Sequence, residues 1–190
     1  MNTQEQAVLR IFDITFSILG LLFALPVMLL ISLLGFLDTG QPMFLQERLG
    51  RNQIPFVLFK FRTMVPNTPS VATHLANSCS ITRLGYFLRT TKLDELPQLL
   101  NVLKGDMSLV GPRPGLQNQF ELTDAREQLG VFMARPGLTG LAQVSGINMS
   151  TPELLAQTDA KMIAQMSTNN YFKYIFMTLS VYCRGDSIKR

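Results

Sequence analysis

Cysteine and histidine are nearly absent. The 190 residues include two cysteines and one histidine. Cys79 and Cys183 lack any short-range partner spacing, which excludes a disulfide framework or a cysteine-built zinc site and makes a reduced, cytosol-facing thiol the expectation for each. His74 stands alone in Pro66–Ser80, a stretch rich in Pro, Ser, Thr and Asn that reads as a loop, so it is expected to be a solvated residue. A Ser-His-Asp hydrolase would have to depend on that histidine, and no G-x-S-x-G elbow accompanies it. A P-loop, a G-x-G-x-x-G fingerprint and a D-x-D element are also missing. Their absence argues against a P-loop NTPase and gives no support to a Rossmann dehydrogenase or a metal-dependent glycosyltransferase of the nucleotide-sugar type.

Charge is scarce as well. Only 16% of the residues are Asp, Glu, Lys or Arg, against about 25% in soluble domains. With 47% hydrophobic residues, a disordered or collagen-like chain is excluded and an ordinary soluble enzyme is disfavoured. The net charge of +4 has no dense basic run behind it. The excess therefore suits phosphates or an anionic membrane, and no nucleic acid partner is expected.

What is present begins with 24 uncharged residues between Asp13 and Asp38. As a straight helix they would reach about 36 Å, enough to cross a hydrocarbon core of about 30 Å. The run is too long for the apolar region of a signal peptide and lacks its small-residue exit. Pro26 sits almost at its midpoint, where it removes a backbone hydrogen bond and leaves two arms of about 18 Å each. From these residues alone, a broken helix that enters and leaves by one face and a kinked spanning helix both remain.

Beyond Asp38, Thr39, Gly40 and Pro42 predict a turn, and Phe56–Phe59 a short strand followed by Lys60 and Arg62. Leu96–Leu103 reads as a helix closed by Gly105, and Gln117–Met133 as another, with Phe120, Leu129, Phe132 and Met133 apolar. Gly111–Gly115 must be a rigid turn, and Arg135–Gly146 reads as a tight loop. A helix starts at Ser150 or Thr151 with Pro152 in its first turn and carries a stripe of Leu154, Leu155, Thr158, Met162 and Met166. Tyr171, Phe172, Ile175, Phe176, Leu179 and Tyr182 form a second stripe, which suits either the headgroup layer or the domain core.

Asp94-Glu95 is the adjacent acidic pair that can carry chemistry. Pro97 is tolerated only in a first helical turn, which puts Asp94 at or beside an N-cap, where an ionised carboxylate is favoured. Such a carboxylate can serve as nucleophile or metal ligand. Lys60, Arg62, Arg89 and Arg113, the last stiffened between two prolines, supply the positive groups that a diphosphate with a divalent ion would need.

The segments Lys60-Phe-Arg-Thr-Met64, Leu93–Pro114 and Pro136–Gly146 together resemble the bacterial sugar transferase family, the monotopic phosphoglycosyl transferases, and the resemblance extends over nearly the whole chain. It implies an α+β, mostly helical, monotopic membrane protein. Residues 1–38 would be a re-entrant helix-break-helix anchor with Pro26 as the break. Residues 39–190 would be a small cytoplasmic catalytic domain with amphipathic interfacial helices, at the inner membrane of a bacterium. The implied activity passes a phosphosugar from a UDP-sugar to polyprenyl (undecaprenyl) phosphate and releases UMP, to start a surface glycan. Asp94 matches the family's nucleophile and Glu95 its acidic partner, both near Mg²⁺; Lys60, Arg62, Arg89 and Arg113 match basic residues suited to phosphate. Membrane lipids are implied partners, and homo-oligomerisation is left open. Three positions depart from the family's habit: Ile147 where Arg is common, Met162 near an expected aromatic, and Tyr171 in place of an acid. These put donor recognition in the C-terminal part in question. The rival reading is a catalytically inactive membrane-anchored scaffold of a glycan-assembly complex.

Overall fold

The computed structural model describes residues 3–66 and 80–183. His74 and Cys79 lie outside the described residues. The chain is mixed helix and strand with helix dominant, in line with the expected α+β class.

A long helix, α1 (Thr3–Thr39), opens the fold. Leu9, Asp13, Ser17, Ile31 and Gly35 are buried along it, and Gly20, Ala24 and Met28 are half-buried between them. These positions recur every three or four residues, so they form one face of a single helix. The opposite face exposes Ile11, Ile18, Leu22, Phe23, Leu29, Leu33 and Phe36.

The break expected at Pro26 is not there: α1 runs through it without interruption. The hydrogen bond that proline forfeits is to the carbonyl of Leu22, and both residues are exposed. The gap thus falls on the outer side of the helix. The inner row, from Gly20 against Leu99 to Ile31 against Phe61 and Leu88, holds the helix to the domain across it.

Strands β1 (Met43–Leu49) and β2 (Pro55–Phe61) form an antiparallel pair with Phe44 opposite Lys60, Gln46 opposite Leu58 and Arg48 opposite Phe56. Residues directly opposite share a face, so Arg48, Gln46 and Lys60 stand on one side of this ribbon. Next come α2 (Arg83–Thr91), a 3₁₀ turn at Leu93–Glu95 and α3 (Gln98–Lys104), which ends at Gly105 in the left-handed conformation. The buried Asn101 of α3 ties this helix to β2: its amide donates to Val57 O (2.7 Å) and accepts from Phe59 N (3.0 Å). That pair of bonds fixes Lys60 relative to the Asp94-Glu95 turn.

Two readings from sequence are corrected here. The helix expected over 117–133 is shorter, α4 (Phe120–Gln128), because Gly130 adopts φ 67° and a separate 3₁₀ turn follows at Val131–Met133. Its buried side chains are Leu122 and Arg126, whereas Phe120, Leu129 and Met133 are exposed. The segment expected as a loop over 135–146 contains β4 (Gly137–Thr139) and α5 (Leu141–Val144). Strand β4 pairs in parallel with β3 (Ser108–Val110), Ser108 opposite Gly137 and Val110 opposite Thr139. Three residues a side are too few for periodicity to reveal a strand.

The glycines explain the pairing. A Cβ on Gly137 would overlap the backbone of Gly111, and one on Gly140 would meet Gly111 O at 2.5 Å. The Gly111–Gly115 and Pro136–Gly146 segments are therefore two halves of one contact. Gly137→Ala is expected to lower stability by about 3 kcal/mol or more, since backbone cannot yield as a side chain does; chemical denaturation in detergent checks this.

Helices α6 (Pro152–Ala164) and α7 (Thr168–Cys183) complete the fold. Leu155, Ala156 and Met162 of α6 are buried, as are Tyr171 and Tyr174 of α7, which pack with Leu9 and Val110. Phe172 stacks edge-on against Phe12 of α1, with Phe176 and Leu179 exposed beyond it. The second stripe thus has its inner edge in the core and an exposed apolar outer edge.

Candidate active site

Lys92 ends α2 in the left-handed conformation, φ 58° and ψ 16°. For a residue with a Cβ this costs on the order of 1–2 kcal/mol. It swings the chain straight into the Leu93–Glu95 turn. Asp94 consequently lies inside a 3₁₀ turn, not at the cap of α3; Pro97 takes the cap position, and no side chain caps either element.

Asp94 is buried, and among the described residues its Oδ1 has no hydrogen-bond partner. Burial and the neighbouring Glu95 push its carboxyl up to about 6, against the pull of Lys60, Lys92 and Arg89. Glu95 moves the other way. Burial opposes its ionisation too, but Arg113, Lys92 and Lys60 outweigh it and hold the carboxyl below its usual range. Arg113 Nη2 meets Glu95 Oε1 at 2.9 Å. Two adjacent carboxyls are thereby separated in role: one firmly charged and paired, the other desolvated and unpaired.

Of the basic residues expected around the pair, Lys60, Arg89 and Arg113 are assembled there. Lys60 stands over the Phe44 ring at 5.0 Å, and burial, then Arg48 and Arg113, lower its ammonium to about 8. Arg89 donates from Nε to Thr63 Oγ1 at 2.9 Å and faces the charge of Asp94. Arg62 is placed differently. It lies on the same Phe44 ring but gives Nε and Nη2 to the O and Oε1 of Gln41, each at 3.0 Å, at the edge of the cluster.

Three further residues belong to the assembly and escaped the sequence reading. Arg48 is buried, donates to Pro114 O (3.1 Å) and Gln46 Oε1 (2.7 Å), and retains an Nε without a partner. Burial and Arg113 lower its pKa to about 10, with Glu95 opposing. Arg126 of α4 donates to Arg113 O at 2.9 Å and makes two bonds to Asp159 Oδ2, at 3.1 and 2.6 Å. Both members of that pair are almost wholly buried. Two guanidinium groups thus grip the carbonyls on either side of Arg113's link to Pro114, and the turn presents Arg113 to Glu95. Alternation along the strand, which puts residue 48 four places from Phe44 and on the same face, was the available signal for the first. Nothing local in sequence pairs residue 126 with 159.

The three departures have structural explanations. Met162 is fully buried, its sulfur accepting from Leu141 N; Tyr171 is fully buried, its hydroxyl donating to Asp13 Oδ1 at 2.8 Å; Ile147 packs against Leu122, Ala142, Leu155 and Ala156. Met162 and Tyr171 thus lie in the core, and Ile147 is half-buried against it.

Residues 4–185 match the family profile described as bacterial sugar transferase. The chain is 38% identical over 196 residues to the undecaprenyl-phosphate galactose phosphotransferase of Salmonella typhimurium, with 93% of this chain and 40% of that protein covered. It is 43% identical over 167 residues to the UDP-glucose:undecaprenyl-phosphate glucose-1-phosphate transferase of Caulobacter vibrioides (84% and 62% covered). With the exopolysaccharide production protein ExoY of Sinorhizobium fredii it shares 34% identity over 192 residues (92% and 84% covered). The chain spans about two-fifths of the length of the first of these relatives. On this match across nearly its full length, the chain belongs to the bacterial sugar transferase family.

Proposed function

We propose that the chain transfers a sugar 1-phosphate from a UDP-sugar to polyprenyl phosphate, with Asp94 as nucleophile. The observation that carries this reading is the buried Asp94 Oδ1, unpartnered amid Lys60, Arg89 and Lys92. Asp159 also leaves its Oδ1 unpartnered but is held through Oδ2 by Arg126, whereas among the described residues Asp94 accepts no hydrogen bond at all; a carboxylate so left is ready to meet an electrophile.

The balance of the reaction is as follows. Asp94 attacks the phosphorus that bears the sugar, the bond from that phosphorus to the bridging oxygen breaks, and UMP leaves with the electron pair. A phosphate oxygen of the lipid then attacks the same phosphorus and frees the carboxylate. Two anionic substrates thereby use one basic cluster in turn. Lys60, Arg89, Arg113 and Arg48 supply the charge that stabilises the phosphoryl oxygens in both halves. Arg62 would guard the entrance.

Mg²⁺ fits these residues. It takes one or two carboxylates and completes its shell with water and substrate phosphate. Asp94 and Glu95 suffice for that, although no group of three or more His, Cys, Asp or Glu forms among the described residues. When bound it would neutralise the diphosphate charge.

The test is to incubate the protein with donor alone. A mass increase of one phosphosugar at Asp94 with stoichiometric UMP is expected; normal turnover without that adduct, or no UMP across a broad donor panel, overturns the reading. The scaffold alternative has no feature of the site in its favour.

We further infer that the protein is monotopic on the cytosolic face of the bacterial inner membrane, where UDP-sugars are found. Both ends of α1 rest on the same domain, Leu9 by Val110 and Tyr171, Ile31 by Phe61 and Leu88. A spanning helix would place its ends on opposite sides. Its outer apolar face and the exposed edge of α7 would form the membrane surface. In a background with Cys79 and Cys183 replaced by Ser, cysteines introduced at Gln4 and Asp38 are expected to react together with an impermeant maleimide in inside-out vesicles and to be protected together in right-side-out ones. Opposite protection would mean a span.

A further inference from the structure

A cavity of about 260 Å³ is bordered by Gly111 and Pro112 but not by Arg113, Asp94 or Glu95. It therefore lies apart from the carboxylate site. One wall is α1, through Leu9, Arg10 and Asp13. Arg51 and Arg135 stand at it, and Val110, Ile163 and Met166 supply apolar surface.

Three arginines meet one acid here, and that acid is occupied. Asp13 Oδ1 accepts from Ser108 Oγ (3.0 Å), Leu109 N (2.9 Å) and Tyr171 OH (2.8 Å). Arg10 is occupied too, donating to Val102 O at 2.7 Å and Leu103 O at 3.0 Å, where it caps α3. Arg135 gives only its Nε, to Gly105 O at 3.0 Å. Among the described residues, its two terminal nitrogens and the whole guanidinium of Arg51 have no hydrogen-bond partner. Asp13 is paired with Arg10, Oδ2 to Nη1 at 3.9 Å, so among the described residues Arg51 and Arg135 have no carboxylate partner; burial, then Arg10 and Arg51, press the Arg135 pKa downward against Asp13. An anion is the missing component.

The apolar walls narrow its class. A sugar nucleotide offers only the faces of its base as apolar surface, so it matches Leu9, Val110, Ile163 and Met166 less well than an acyl chain does. An amphiphile with a phosphate at one end matches both parts. The wall formed by α1 also puts the cavity beside the helix whose outer face is apolar and exposed. We propose that this cavity binds the phosphate of an anionic membrane phospholipid through Arg51 and Arg135, with the adjoining apolar part of the lipid on Leu9 and Ile163. The inference uses the membrane placement of α1 and not the transfer chemistry.

Native mass spectrometry of the full chain in detergent tests it, with dioleoylphosphatidylglycerol, dioleoylphosphatidylcholine and glycerol 3-phosphate as probes. One phosphatidylglycerol should be retained per chain and phosphatidylcholine far more weakly. Each charge-assisted contact contributes about 1.5 kcal/mol or more, so Arg51→Gln, at an exposed position, should weaken retention about tenfold. Adding Arg135→Gln should weaken it further. Equal retention of phosphatidylglycerol by wild type and the double variant overturns the site, and equal retention of the two lipids overturns its preference for an anion. Glycerol 3-phosphate binding as tightly as phosphatidylglycerol, with the same arginine dependence, would assign the site to a soluble phosphate ester and overturn the lipid. A chain that retains the lipid but releases no UMP leaves this inference standing and fails the proposed function.

Discussion

Asp94→Asn is expected to abolish transfer and at the same time to stabilise the protein. Loss of a covalent nucleophile costs about 10⁴-fold or more in turnover, since the remaining charge stabilisation has nothing to act on. The stability gain follows from the same burial. The native fold raises the Asp94 carboxyl from 3.8 to about 6. A carboxyl whose folded pKa lies above its unfolded one favours folding while protonated, and that contribution is lost progressively as pH rises from about 4 to about 6. At pH 8 the ionised group opposes folding by up to about 3 kcal/mol, from two units at about 1.4 kcal/mol each. A neutral amide of the same shape removes that opposition. Thermal unfolding in detergent should show a higher midpoint for Asp94→Asn at pH 8, a gap about half as large at pH 5, and little difference only below about pH 4. An unchanged or lower midpoint at pH 8 would mean that the carboxylate is stabilised by its cations and is a structural group.

The same groups set the pH dependence of activity. Transfer needs Asp94 ionised, so kcat/KM for donor should fall about tenfold per unit below about pH 6. Lys60 must keep its proton, and its ammonium is lowered to about 8. The upper limb should therefore begin near pH 8, well below that of an ordinary lysine. Lys60→Arg should carry that limb out of range, because a guanidinium does not deprotonate there. The two apparent values belong to the cluster jointly, since Asp94 and Lys60 feel one another.

How far the sequence discloses this site depends on the distance over which each contact acts. Asp94, Glu95, Lys60, Arg89 and Arg113 were legible because they flank local punctuation: a proline in a first turn, a strand end, a pair of prolines. The conformation that aims Asp94 was not, because Lys92 is a lysine at φ 58° and no residue type announces it. The single-face burial of α1 was hidden for another reason. Its inner and outer rows are both largely apolar, so hydropathy sees a uniform run and misses the packing that carries the helix through Pro26. Strands β3 and β4 depend on glycines in two distant segments approaching within backbone contact, which a one-dimensional reading cannot bring together. Arg62 stands apart from the others because its guanidinium is claimed by a nearer acceptor, Gln41.

The buried pair of Arg126 and Asp159 yields the second large effect, and it separates stability from function. Burial raises the Asp159 carboxyl although Arg126 pulls it down, so the pair does not recover all of its desolvation cost. Breaking it is a different matter. Asp159→Ala would strand the Arg126 guanidinium at 3% exposure, which is expected to lower stability by about 3–5 kcal/mol. Replacing both residues with apolar ones of similar volume, Arg126→Met with Asp159→Leu, removes the stranded charge and should restore most of that loss. Activity should not return with it. Arg126 also donates to Arg113 O, and methionine cannot, so the Gly111–Gly115 turn loses one of its two arginine braces. Arg113 then meets Glu95 and the diphosphate less often in the productive geometry. The folded double variant should show a higher KM for donor, by about tenfold if one charged hydrogen bond of about 1.4 kcal/mol is the whole effect. Denaturation midpoints and donor kinetics on the two variants check both halves. A double variant with wild-type KM would reduce the pair to a core support. One that stays as unstable as Asp159→Ala would show that the pair's hydrogen bonds, not its charge balance, hold α4 to α6.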